Sequence, residues 1–112
     1  VSNEEAVLQV LAPHGFVSVQ TETLSLAEQI ALFREATHIV APHGASLTNL
    51  LHMRGGSVLE LFQQGHGVRP DFFQLAMIAG CDYRHAICPS KPPSMHIEVP
   101  LQVIQDFLAC TL

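Results

Sequence analysis

The densest chemistry in this chain lies in the ten residues from Val40 to Asn49, Val-Ala-Pro-His-Gly-Ala-Ser-Leu-Thr-Asn. An apolar run, His38-Ile39-Val40-Ala41, breaks at a tight Pro42-His43-Gly44-Ala45 turn and passes into a stretch with helical spacing. In parallel sheets ligands sit at such strand-to-helix junctions, because the first N–H groups of the helix are unpaired and lie at the positive end of its dipole. Gly44 and Ala45 let a ligand approach the backbone closely, and Ser46, Thr48 and Asn49 add side-chain donors. The chemistry that fits is the holding of a diphosphate, mainly by backbone. His43 is able to donate to that anion or to shuttle a proton. Its plainer reading is a helix cap or a hydrogen bond within the turn. A second polar group stands out in Val58-Leu59-Glu60-Leu61-Phe62. Glu60 is set among apolar neighbours, and a buried carboxylate needs either a ligand or a protein network to satisfy it.

The remaining chemistry is sparse. Seven histidines show no i, i+4 pair and no acidic or cysteine cluster at ligand spacing, so no metal site is expected. Cys81, Cys88 and Cys110 cannot all pair within one chain; with no signal-peptide pattern, a reducing, cytoplasmic location is expected. Only five Lys and Arg stand against ten Asp and Glu, giving a formal charge of −5, which repels nucleic acid. No apolar run approaches the roughly 20 residues that span a bilayer.

The elements that must position the turn follow from periodicity. With 112 residues, 48% of them hydrophobic and 13% charged, the chain suffices for one domain whose elements are buried on more than one face. Ser2-Asn3-Glu4-Glu5 reads as a capping box before a helix that Pro13 and Gly15 stop. Residues 16–21 alternate as a short strand should. A second capping box, Ser25-Leu26-Ala27-Glu28, opens another helix, and the runs 38–41, 58–62 and 83–87 complete a set of four strands. Helices fill 46–53 and 71–79, the second with Phe72, Leu75, Ala76 and Ala79 on one stripe. Three prolines fall in 89–93, and Leu101, Ile104, Phe107 and Leu108 form a closing amphipathic helix. Strands separated by helices pair in parallel through right-handed crossovers. The expected fold is α/β, a Rossmann-like three-layer αβα unit over 1–112 with a mainly parallel sheet of about four strands.

Three blocks stand in order: Glu22-Thr23-Leu24-Ser25-Leu26-Ala27-Glu28-Gln29, then Ala36 to Asn49, then Gly56-Ser57-Val58-Leu59-Glu60-Leu61-Phe62. Together they resemble the C-terminal part of glycosyltransferase family 61, over about residues 3–88. The resemblance implies the nucleotide-sugar-binding half of a GT-B-like enzyme, in which two Rossmann-like domains face each other, serving polysaccharide or glycoprotein synthesis. By position, Pro42, His43, Gly44, Ala45, Ser46 and Asn49 would lie at the diphosphate or sugar. Glu60 would accept ribose hydroxyls, and Glu22 and Ser25 would line the base or ribose side. His43 is the candidate catalytic residue. No cofactor is implied beyond the donor substrate, because helix dipoles and cationic side chains stabilise the leaving diphosphate. The implied partners are a nucleotide-sugar, a glycan or protein acceptor, and either a missing N-terminal domain or a second copy of the chain. The competing reading is a non-catalytic Rossmann-like nucleotide-binding or interaction module. An NAD-type oxidoreductase is weaker, for the Gly-x-Gly-x-x-Gly fingerprint is absent.

Overall fold

The computed structural model describes residues 1–90 and 96–112. Three strands, β1 (His38–Pro42), β2 (Ser57–Gln63) and β3 (Asp82–Cys88), lie side by side in chain order and pair in parallel. Each is followed by a helical crossover or closing helix, as parallel connection requires. The four α-helices are α1 (Glu4–Leu11), α2 (Leu26–Glu35), α3 (Asp71–Ala79) and α4 (Leu101–Thr111), and an eight-residue 3-10 helix spans Ala45–His52. The fold is α/β, a Rossmann-like three-layer arrangement.

Strand composition explains the layers. β2 is central, with Val58, Leu59, Glu60, Leu61 and Phe62 all buried, which matches its unbroken apolar character. Because side chains alternate across a strand, Leu59 and Leu61 face one layer and Val58, Glu60 and Phe62 the other. The first layer is α1 with α4, where Val7, Leu11, Ile104, Phe107 and Leu108 close over Leu59 and Leu61. Fully burying one such side chain stabilises by about 1.5–3 kcal/mol, so these few contacts hold both terminal helices on the sheet. The second layer is α2, the 3-10 helix and α3, which bring Phe33, Leu47, Leu50, Met53, Phe72 and Ala76 against Val58.

Two expectations meet a different outcome, and one expected helix is specified further. Residues 16–20 join no strand among the described residues; Val17 is 77% exposed and only Phe16 packs against the core. Alternation marks a strand only where a partner edge supplies the ladder, so the sheet has three strands here and not four. The Ser2–Glu5 capping box does not form. The Asn3 side chain instead donates to Val99 O at 2.7 Å and accepts from Val99 N at 2.9 Å, and Ser2 bonds Ile97 O, so a long-range tie displaces the local cap. The helix expected after the turn is present and is of the 3-10 type: Leu47, Leu50 and Met53 recur every third residue, the spacing at which 3-10 side chains align on one face. Of the proline-rich segment 89–93, residues 91–93 lie outside the described residues. The Ser25–Glu28 box forms in full, with Glu28 N to Ser25 Oγ at 3.1 Å and Ser25 N to Glu28 Oε1 at 2.9 Å.

Candidate functional site

The β1–β2 register builds the site. Ile39 pairs with Val58 and Ala41 with Glu60, and the His43 N–H donates to Leu61 O at 2.9 Å, which extends the ladder one step past Pro42. Period-two alternation therefore sends His43 to the same face as Ala41, Glu60 and Phe62. Ala41, beside Glu60, has too small a side chain to separate that carboxylate from the His43 ring. His43 Nδ1 lies 2.5 Å from Glu60 Oε2, and its ring stacks on Phe62 at 5.2 Å between centroids and leans on Phe72 at 5.2 Å. From β3, the Tyr83 hydroxyl donates to the other oxygen, Oε1, at 2.5 Å.

The two ends of this chain of contacts differ in exposure. Glu60 is fully buried, whereas the His43 side chain is 32% exposed. A carboxylate removed from water needs hydrogen bonds on both oxygens, and here both are met by protein. Burial, together with the hydrogen bond and the negative charge of Glu60, pushes the Tyr83 hydroxyl well above its ordinary value.

His43 opens onto a cleft of about 400 Å³ at the carboxyl ends of β1 and β2. Pro42 and His43 form one wall; Gln63, His66 and Arg69, from the end of β2 and the loop after it, contribute another, with His96 and Ile97 nearby. Among the described residues no carboxylate lines it, although the chain as a whole is acidic. Arg69 is tethered to Asp71 at 3.3 Å while remaining largely exposed. Just beyond His43, the amides of Gly44, Ala45 and Ser46 make no backbone hydrogen bond among the described residues; the next, Leu47 N, closes the helix onto Gly44 O at 3.1 Å. Three consecutive N–H groups without a backbone partner at a strand end suit an anion, but of the turn only Pro42 and His43 line the cleft, and Gly44, Ala45 and Ser46 do not.

The other expected site residues are dispersed. Asn49 is buried, its amide donating to Gln29 Oε1 and Ser46 O at 3.0 Å each, so it braces the 3-10 helix against α2. Ser25 caps α2, and Glu22 is exposed on the 3-10 turn Thr21–Thr23; neither lines the cleft. Glu60 offers no surface to a ribose, because β2 is covered on both faces. Sequence reasoning missed Gln63, His66, Arg69 and Tyr83. Applying the strand-end rule to β2 as well as β1 would have found the first three, since they begin at its carboxyl end.

A family model described as Glycosyltransferase 61 matches residues 1–59. The chain belongs to glycosyltransferase family 61. That match includes the Pro42–Ser46 turn and ends one residue before Glu60. Two curated relatives, from Homo sapiens and Pan troglodytes, both named Protein O-linked-mannose beta-1,4-N-acetylglucosaminyltransferase 2, are 31% identical over 108 residues. The alignment takes in 89% of this chain and 18% of each relative, so the chain spans about a fifth of their length. No solved structure matches significantly. Among the described residues no helix is long and apolar enough to cross a membrane.

Proposed function

We propose that this chain is the donor-binding part of a family 61 glycosyltransferase, and that it holds a nucleotide-sugar by its diphosphate at the carboxyl ends of β1 and β2. One observation supports the reading: a cleft whose lining among the described residues holds no carboxylate is walled by Pro42, His43, Gln63, His66 and Arg69, and the chain passes directly from that wall into the Gly44–Ser46 turn, whose amides make no backbone hydrogen bond. Overall acidity does not forbid the ligand. Each helix-dipole contact to an anion contributes about 0.3–1 kcal/mol when exposed and up to about 2 when partly buried, and Arg69 adds a fixed cation. Screening limits repulsion from distant surface carboxylates to within about 8–10 Å at physiological salt.

In this reading the Gly44–Ser46 amides and Arg69 neutralise charge on the departing diphosphate. The acceptor, a glycan or a protein, is presented by a domain from elsewhere in the enzyme or by a second copy of the chain. Calorimetric titration with UDP, GDP and their sugars tests donor binding directly. Saturable binding is expected, weakened about tenfold by Arg69→Ala, equivalent to about 1.4 kcal/mol. No heat at millimolar ligand would leave a non-catalytic interaction module in its place.

A further inference from the structure

We propose that His43 is the group that takes the proton from the acceptor hydroxyl, and that Glu60, positioned by Tyr83, decides which ring nitrogen does so. The geometry runs from the inside out. Glu60 is fully buried between Leu59 and Leu61 in the central strand, where an apolar residue would pack at less cost. Tyr83 donates to Oε1, which turns Oε2 toward His43 Nδ1. A carboxylate has only acceptor sites, so Nδ1 carries the proton. In the neutral ring the lone pair then sits on Nε2, which makes no hydrogen bond among the described residues, on a side chain that lines the cleft. Phe62 stacks on the ring and Phe72 lies tilted against it.

The step rests on the donor reading above. As the acceptor oxygen bonds the anomeric carbon, its proton moves to Nε2; the bond from that carbon to the diphosphate breaks, and its electron pair leaves with the diphosphate. The imidazolium so formed faces the Glu60 carboxylate, which stabilises it. Glu60 and Tyr83 touch no substrate and are positioning residues. Among the described residues the other ionisable groups around His43 are His85 on β3, which meets Phe62, His66 and His96 in the cleft, and Arg69 with its partner Asp71.

Nitrogen-15 NMR of the histidine rings in this chain tests the assignment. At a pH where His43 is neutral, the Nδ1–H tautomer is expected in the wild type, with Nε2–H gaining population in Glu60→Gln and less so in Tyr83→Phe. In the complete enzyme containing this domain, His43→Gln lowers kcat by about 10²–10⁴-fold with the donor KM little changed. A wild-type His43 found as Nε2–H in a chain that binds donor overturns the base role and leaves the donor site standing. So does a His43→Gln enzyme whose kcat equals that of the wild type. Absence of donor binding to the wild-type chain overturns both.

Discussion

A methyl group added at Gly44 and one added at Gly56 would meet opposite surroundings. At Gly44 the backbone is extended and the nearest atom to an added Cβ is Pro42 O at 3.9 Å, an ordinary contact, so nothing within the protein demands glycine. At Gly56 the backbone has φ +102° and a Cβ would lie 2.4 Å from Thr37 O, where Ser57 N and Thr37 O join the two strands. Gly56→Ala is therefore expected to cost about 1–3 kcal/mol in urea unfolding, and Gly44→Ala almost nothing. If the turn cradles a diphosphate, Gly44→Ala instead weakens UDP binding at unchanged stability. Tyr83 offers a second residue-scale test, as the chain has one tyrosine and no tryptophan. Its hydroxyl is raised in the folded state by burial and by Glu60, so the folded form keeps its proton where the unfolded phenol, near pH 10, loses it. Stability from this bond is complete below about pH 10 and falls as pH rises toward the folded value. The tyrosinate absorbance of the native chain should appear only above pH 10, and Tyr83→Phe should lessen the alkaline loss of stability. His43 and Glu60 were legible in the sequence as a histidine in a turn and an acid in an apolar strand. Their hydrogen bond was not, because it depends on the register between segments 17 residues apart, which no local pattern encodes.

The elements show where local rules suffice and where they yield. Ser25 and Glu28 satisfy each other's backbone N–H at the exposed start of α2, and no competing partner draws them away. Ser25→Ala is accordingly expected to cost about 0.5–2 kcal/mol. Asn3, at the equivalent position before α1, is claimed by Val99 instead. The two bonds act as a small piece of ladder that fastens the start of the chain to the segment leading into α4. Asn3→Ala removes both, and a cost of about 1–3 kcal/mol in chemical denaturation is expected, since a Val99 backbone group left unsatisfied loses more than a cap does. A loss below 0.5 kcal/mol would show that water replaces the side chain. The apolar run announced β2 because continuous burial leaves a mark in composition, whereas β1 is only half-buried and β3 is largely exposed. The segment 16–20 carried the same alternation without a neighbouring edge, and hydrogen-bond partners are not written in the segment itself. Likewise the 3-10 helix was legible as a helix after the turn, while its type follows from how Leu47, Leu50 and Met53 meet the sheet.

At the scale of the whole molecule, both layers depend on one three-stranded sheet. The radius of gyration is 13.5 Å, close to the roughly 13 Å of a single folded unit of this length. The cysteines make that dependence measurable. Cys88 is sealed in the layer of α1 and α4, Cys81 in the layer of α2 and α3, and burial raises both thiols above their ordinary value; Cys110 is exposed on α4. Since the thiolate is the reactive form, a disulfide-exchange reagent should find one fast thiol in the native chain and three in denaturant. More is learned between those limits. β2 supplies Leu59 and Leu61 to one layer and Val58 to the other, so neither layer can open fully without exposing the strand that carries Glu60. Cys81 and Cys88 should therefore become reactive at the same urea concentration, with the midpoint of the cooperative transition. Earlier exposure of Cys88 alone would mean that α1 and α4 peel from a sheet whose other face survives, and the His43 site could then persist without the terminal helices. Coincident exposure ties the geometry of that site to the integrity of the whole fold.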